Sequence, residues 1–352
     1  MKAMVLSAPN TPFQLAELPD PVAGDGEAVA KVLACGAGLT IQHQRAGRIK
    51  IDYPRIIGHE ITAEVVETGR DPGDLKVGDP VTAYYYLTCG TCKWCLGGRE
   101  TLCDNFAGNV GRDVDGGYAE FIKLPANSFI KIPDGLDYQA HPAEIGVVTD
   151  AIATPVKLVK KARIQPGETV AVIGAGGGLG LQMVHVANWA GARVIALDVR
   201  PEKFDACRDA GAEYVVDPST GDTVEALLSI TGGAGADVVI DFVANPTTLE
   251  DAARALAKGG RMAILGGGGV ENSFPVSGNW IKSGEREILG SRYATRDEVR
   301  EALEIVARGE LWPIVTETAA LEDAEELHQR VENGLITGRA AVMVAAGKGT
   351  LK

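Results

Sequence analysis

The stretch from Glu168 to Asp198 constrains the fold more than any other: Glu-Thr-Val-Ala-Val-Ile, then Gly174-Ala-Gly-Gly-Gly-Leu-Gly180, an apolar helical segment, and Arg-Val-Ile-Ala-Leu-Asp198. It reads as strand, glycine turn, helix, strand, acid. The apolar run Val170 to Ile173 suits a parallel strand buried on both faces, and the glycines let backbone N–H groups approach a pyrophosphate at the start of the next helix. The spacing G-x-G-x-x-G fails here, because from Gly174 it would need glycine where Leu179 stands. The spacing that fits is G-x-x-G-x-x-G through Gly174, Gly177 and Gly180, with Gly176, Gly178 and Leu179 completing the turn. Asp198, at the end of the second strand, lies where a carboxylate binds the 2′- and 3′-hydroxyls of an adenosine ribose; its other reading is a cap for a helix opening at Pro201. Its charge would repel a 2′-phosphate and favours NAD(H), while Arg200 keeps NADP(H) open.

Strands alternate with amphipathic helices from about 165 to 295. The strand candidates are 169–174, 192–198, 213–217, 237–243, 260–266 and 286–291, with helices near 179–190, 201–210, 222–231 and 246–257. Six strands in this pattern predict a doubly wound parallel sheet, so the fold class is α/β. Residues before about 145 instead carry short β-branched runs bounded by Gly and Pro, such as Glu27-Ala-Val-Ala-Lys-Val-Leu33, which predicts a mostly antiparallel β domain. The expected division is 1–150 with 296–352 for the β domain and 151–295 for the dinucleotide domain, the final strand near 338–344 returning to the first. A net charge of -13 argues against nucleic acid and anionic membrane as partners. No apolar run is long enough for a membrane helix and the N-terminus does not read as a signal peptide, so a cytoplasmic protein is expected.

In that compartment clustered cysteines are metal ligands before they are disulfides. Cys89, Cys92, Cys95 and Cys103 have the spacing C-x2-C-x2-C-x7-C, which closes a tetrahedron around zinc with no position left for substrate. Such a site, spanning about 89–103, is structural. Cys35 and Cys207 stand alone and read as buried, inert thiols.

This cysteine lobe, placed after Gly58-His59-Glu60 and before a dinucleotide domain, resembles the zinc-containing medium-chain dehydrogenase/reductase family, the alcohol dehydrogenases and their relatives. Val77-Gly-Asp-Pro-Val81 and Gly116-Gly-Tyr-Ala-Glu120 extend the similarity, which covers essentially the whole chain. The resemblance implies a GroES-like first domain, a homodimer or homotetramer, a small-molecule substrate, and a second, catalytic zinc held by Cys, His and a third Cys, Asp or Glu. His59 matches the second ligand, Glu60 the acid beside it, and Glu144 in Pro142-Ala-Glu-Ile-Gly146 falls at the third. The first is missing. Where the family has G-x-C-x-[ST]-[DE]-x-x-H, this chain has Gly36-Ala37-Gly38-Leu39-Thr40-Ile41-Gln42-His43, so the ligand cysteine is Gly38 and the following acid is Ile41. Sliding the register onto Cys35 displaces Thr40 and His43 without restoring the site. Two outcomes stay open: a harder metal site from His59, Glu60 and Glu144, or none.

The resemblance further assigns Thr40 and His43 to a proton relay, in which the hydroxyl passes the alcohol proton through the ribose hydroxyl to the histidine, for which an imidazole pKa near neutrality suits it. Tyr84-Tyr85-Tyr86 fall where the family has aromatic substrate contacts, with alternation sending Tyr85 one way and its neighbours the other. Gly266, opening Gly266-Gly-Gly-Gly269, would let backbone approach the nicotinamide, and Arg339 would meet the pyrophosphate. These residues describe an NAD(H)-dependent oxidoreductase of an alcohol/carbonyl pair. The alternatives are a zinc-independent 1,4-reductase of an α,β-unsaturated carbonyl compound, and a nucleotide-binding protein without turnover.

Overall fold

The apolar run after Glu168 forms the strand Thr169–Ile173, buried at every position. It pairs in parallel with Arg193–Leu197 on one side and Ala236–Asp241 on the other, which explains its lack of apolar/polar alternation. The computed structural model describes residues 1–266 and 272–344. Its six-stranded sheet runs Ala212–Val216, Arg193–Leu197, Thr169–Ile173, Ala236–Asp241, Leu256–Ile264, Glu287–Gly290, the doubly wound order that reverses beside the first strand. Its compact unit is Thr154–Arg292, and the other unit is Met1–Ala153 with Tyr293–Lys352.

Two local differences have physical causes. The helix expected over 246–257 is Pro246–Arg254, because Leu256 already pairs with Ala236 and draws the chain into the next strand. The helix Gly278–Gly284 was not foreseen; its glycines blur helical periodicity, and its start is fixed by Ser277, whose hydroxyl accepts from the Trp280 N–H.

In the first unit the long strand Glu27–Ala37 organises a sheet of order Phe129–Lys131, Pro80–Ala83, Ile61–Thr68, Glu27–Ala37, Arg339–Met343, Val315–Ala320. Phe121–Pro125 also pairs with the first half of that strand. Its neighbours Ile61–Thr68 and Arg339–Met343 are antiparallel to it, with Cys35 opposite Ile61 and Ala340 opposite Ala37. Gly38 just past one strand's end, Glu60 just before another, and Arg339 at the start of the third therefore converge at one end of these neighbouring strands. Leu6, Ile41, Ile57, Ile61 and Tyr118 sit in the core behind it. The helix Arg296–Ala307 is started by a capping box, Thr295 and Glu298 each bonding the other's backbone N–H.

Candidate active site and zinc lobe

Gly58, with φ 102°, turns the chain so that His59 and Glu60 enter this end of the strands; a side chain there would meet the Cys35 sulfur and Tyr118. Both residues are buried, His59 at 1% exposure and Glu60 at 0%. The third acid of the cluster is Asp150, its Oδ2 3.5 Å from His59 Nε2. One ligand atom from each of His59, Glu60 and Asp150 lies within 4.8 Å of the others. Glu144, expected in that place, is not part of the cluster: it lies half-buried in the first turn of the helix Pro142–Val147. The chain passes from that helix into a π-helical turn, Val148–Ile152, before resuming as Ala153–Lys161. The wider turn redirects the side chains, and regular helical spacing from Glu144 misses it. One signal was available, since Asp150 is an acid inside the run Ile145 to Val156, where a charge needs a buried partner.

Arg339 reaches the same cluster. It is 4% exposed, donates from Nε to Glu60 Oε2 at 3.0 Å and pairs through Nη2 with Glu60 Oε1. The same Nη2 lies 3.7 Å from Asp150 Oδ2. Strand register turns this side chain to the carboxylates of its own unit. Burial draws its pKa down to about 10, which leaves it charged at neutral pH. A Cβ built on Gly38 would lie 2.6 Å from Arg339 Cζ and 2.7 Å from Nη1. The guanidinium thus fills the space that a cysteine side chain would need. Cys35 cannot substitute: its sulfur faces Gly58 and Gly117, and burial pushes its pKa far above the ordinary thiol value.

The His59, Glu60 and Asp150 ligand atoms lie close enough together to hold a metal ion, but the set lacks the thiolate of the family pattern. Gly38 contributes no side-chain atom, the Glu60 carboxylate is taken by Arg339, and His59 Nδ1 is buried with no hydrogen-bond partner among the described residues. A metal-bound histidine ordinarily donates its outer N–H to a carboxylate or carbonyl.

Tyr85 lies with its ring centroid 4.2 Å from that of His59, while Tyr84 is fully buried and donates to the Ala294 carbonyl at 3.0 Å. Tyr293, which no sequence pattern singled out, packs at 5.4 Å from Tyr85 with its hydroxyl buried. Thr40 and His43 are one turn apart on the helix Leu39–Arg45, both half-buried. His43 Nδ1 accepts from Arg48 Nε at 2.7 Å, and Arg48 is held by Glu332 at 2.8 and 2.6 Å. Burial, then the Arg48 charge, lower the His43 pKa against an opposing pull from Glu332. The Arg48 contact also fixes the tautomer, leaving the proton of a neutral His43 on Nε2.

In the dinucleotide unit the glycine requirement is strict at two positions. Gly174 has φ 78°, and any Cβ on Gly180 would collide with the Gly174 carbonyl. Gly176, Gly177, Gly178 and Leu179 lie between them, ahead of the helix Gly180–Trp189. Asp198 accepts from the Gly176 N–H at 2.8 Å and the Arg200 N–H at 3.0 Å, so it braces the turn, and its carboxylate has lone pairs left over as acceptors. The Arg200 side chain is exposed and 3.7 Å from Glu202. Gly266 packs against the Phe242 carbonyl, and Gly267 to Gly269 lie outside the described residues.

The four sulfurs of the cysteine lobe meet the geometric test for zinc. Zn–S bonds of about 2.3 Å in a tetrahedron place sulfurs about 3.8 Å apart. Here Cys89–Cys95 is 3.9 Å, Cys92–Cys95 3.5 Å, Cys92–Cys103 4.0 Å and Cys89–Cys103 3.5 Å. Thr91 and the Cys92 N–H pull the Cys89 thiol down to about 5, toward the thiolate that a metal binds. No helix among the described residues is long and apolar enough to cross a membrane.

Residues 24–134 match the family model for the alcohol dehydrogenase GroES-like domain, and residues 178–308 that for zinc-binding dehydrogenase. The chain belongs to the zinc-containing medium-chain dehydrogenase/reductase family, as an alcohol dehydrogenase-like oxidoreductase of a small-molecule substrate. An alcohol dehydrogenase of Geobacillus stearothermophilus is 36% identical over 342 residues, covering 96% of this chain and 98% of that one. An NAD-dependent alcohol dehydrogenase of Sulfurisphaera tokodaii is 31% identical over 354 residues, covering 97% and 100%. The crystal structure of the alcohol dehydrogenase from Aeropyrum pernix superposes with a TM-score of 0.88 at 29% identity, covering 98% and 100%.

Proposed function

We propose that this protein is an NAD(H)-dependent oxidoreductase of an alcohol/carbonyl pair, with a structural zinc on Cys89, Cys92, Cys95 and Cys103 and no catalytic zinc. The observation that carries the cofactor choice is Asp198, an acid at the end of the second strand and bonded to the glycine turn. When bound, NAD supplies hydride transfer at its nicotinamide. Gly174 to Gly180 and the start of the helix Gly180–Trp189 offer backbone N–H groups to the pyrophosphate. The Sulfurisphaera tokodaii relative is named as NAD-dependent, in the same sense.

On the barrel side Thr40 supplies the hydroxyl that exchanges a proton with the substrate oxygen, and His43 is the imidazole one turn further along. Tyr85, stacked on His59, offers an O–H donor in a buried setting; burial raises its pKa, so it stays protonated and can donate to a developing oxyanion. The incomplete donor set at Gly38 also supports a second reading, 1,4-reduction of an α,β-unsaturated carbonyl compound, which asks less of a metal at the oxygen.

The test is nicotinamide oxidation and reduction with a panel of alcohols, aldehydes and enones, using NAD(H) and NADP(H) separately. Turnover of alcohols or aldehydes with NAD(H) is expected. Turnover of enones alone would replace this reading by the second, and cofactor binding without turnover on any substrate would reject both.

A further inference from the structure

We propose that the guanidinium of Arg339 occupies the place of the catalytic metal ion in this chain, and that this arrangement and a metal-binding side chain at position 38 exclude each other. Glu60 and Asp150 are both buried carboxylates, at 0% and 8% exposure, with oxygens close enough to share one cation. Two buried anions so near one another require compensation. In most of the family, as the resemblance of the donor pattern implies, a metal supplies it. Here the compensating cation is covalently part of the chain.

Three observations converge on Arg339. Its Nε and Nη2 engage both oxygens of Glu60, and Nη2 reaches to 3.7 Å from Asp150. Its Cζ and Nη1 lie 2.6 and 2.7 Å from where a Cβ at position 38 would be. A cysteine in place of Gly38 collides at its Cβ whatever its rotamer, so it cannot leave the guanidinium where it is. Glu60 is in turn pressed against Gly36, where a Cβ would overlap its carboxylate, so the acid has no room to retreat. A metal-bound imidazole ordinarily has its outer nitrogen oriented by a carboxylate or carbonyl, and among the described residues His59 Nδ1 has neither.

Gly36, Gly38, Glu60 and Arg339 therefore form one interlocked unit. Arg339 acts as a positioning residue, ion-paired with Glu60 and close to Asp150, and denies these acids to a divalent ion. The proposal rests on the oxidoreductase reading only for where the family's metal belongs. Its test counts metal without turnover, so failure of one is distinguishable from failure of the other.

The experiment loads the full chain with cobalt(II) during expression and measures metal per subunit together with the absorption spectrum, for the wild type, Arg339→Met, and Gly38→Cys combined with Arg339→Met. The wild type should hold one cobalt with a four-thiolate spectrum. The double variant should hold two, the added ion showing charge transfer from a single thiolate mixed with nitrogen and oxygen ligands. Arg339→Met alone should bind a second cobalt at least tenfold more tightly than the wild type does in titration. Two equivalents in the wild type would overturn the proposal, and that measurement requires no variant to fold. A double variant that keeps the wild-type four-thiolate spectrum and melting temperature yet holds one cobalt would also overturn it.

Discussion

His43 is held by Arg48 at Nδ1, and Arg48 by Glu332, so the imidazole is presented with a defined tautomer and a lowered pKa. Replacing Arg48 by Ala removes the cation and leaves Glu332 unopposed. The His43 titration midpoint, followed by NMR of its ring protons, is expected to rise; an unchanged or lower midpoint would show that Arg48 does not control it. Deeper in the unit, His328 bonds Tyr118 at 2.8 Å and Gln42 at 2.9 Å, and burial followed by the Arg45 charge lowers its pKa to about 3. The unfolded chain takes up a proton on this residue below about pH 6.5, whereas the folded chain does so only near pH 3. Between those values the unfolded state binds more protons, so the contribution to stability falls as pH drops, by up to about 1.4 kcal/mol per pH unit. Urea unfolding of His328→Gln between pH 6 and 4 should therefore show a shallower pH dependence than the wild type, by about one proton; identical slopes would refute this. The positions of His59, Glu60 and Gly38 at neighbouring strand ends follow from local motifs, and the relay roles of Thr40 and His43 are part of the proposal. Asp150 and the partners of Arg339 do not follow from such motifs, because a π-helical turn and a strand register bring them in, and neither has a short-range pattern.

Elements show the same division. The strand Thr169–Ile173 and the turn behind it were legible because burial on both faces and close backbone contact each leave a compositional mark. The zinc lobe was legible because four ligands on one loop must obey a spacing. Its stability is expected to come from the ion, since the helix Lys93–Leu96 is a single turn with no buried residue. Cys103→Ser should lose the structural zinc and lower the melting temperature by several degrees, measured by elemental analysis and thermal unfolding in parallel. Retention of zinc with unchanged melting would contradict the assignment. The helix Gly278–Gly284 was not legible, because a short glycine-rich helix held by a serine cap carries little periodicity. Thr295 opens the helix Arg296–Ala307 with a capping box, and Thr295→Ala should cost about 1 kcal/mol in chemical denaturation; no loss would mean that the box is redundant with packing.

At the scale of the molecule, the chain keeps the two units of its family, a doubly wound sheet for the dinucleotide and a barrel carrying the acid, histidine and hydroxyl groups. It departs from the family pattern at one strand end, where glycine replaces a thiolate and an arginine side chain has entered the space. Oxidoreductase activity in this chain is expected to proceed with zinc in the cysteine lobe alone. The most direct check is elemental analysis of purified enzyme that turns over NAD(H), with activity and metal measured on the same sample. One zinc per subunit in fully active enzyme is the predicted result. Two per subunit, with activity falling in step as the second is removed by a chelator, would contradict the account.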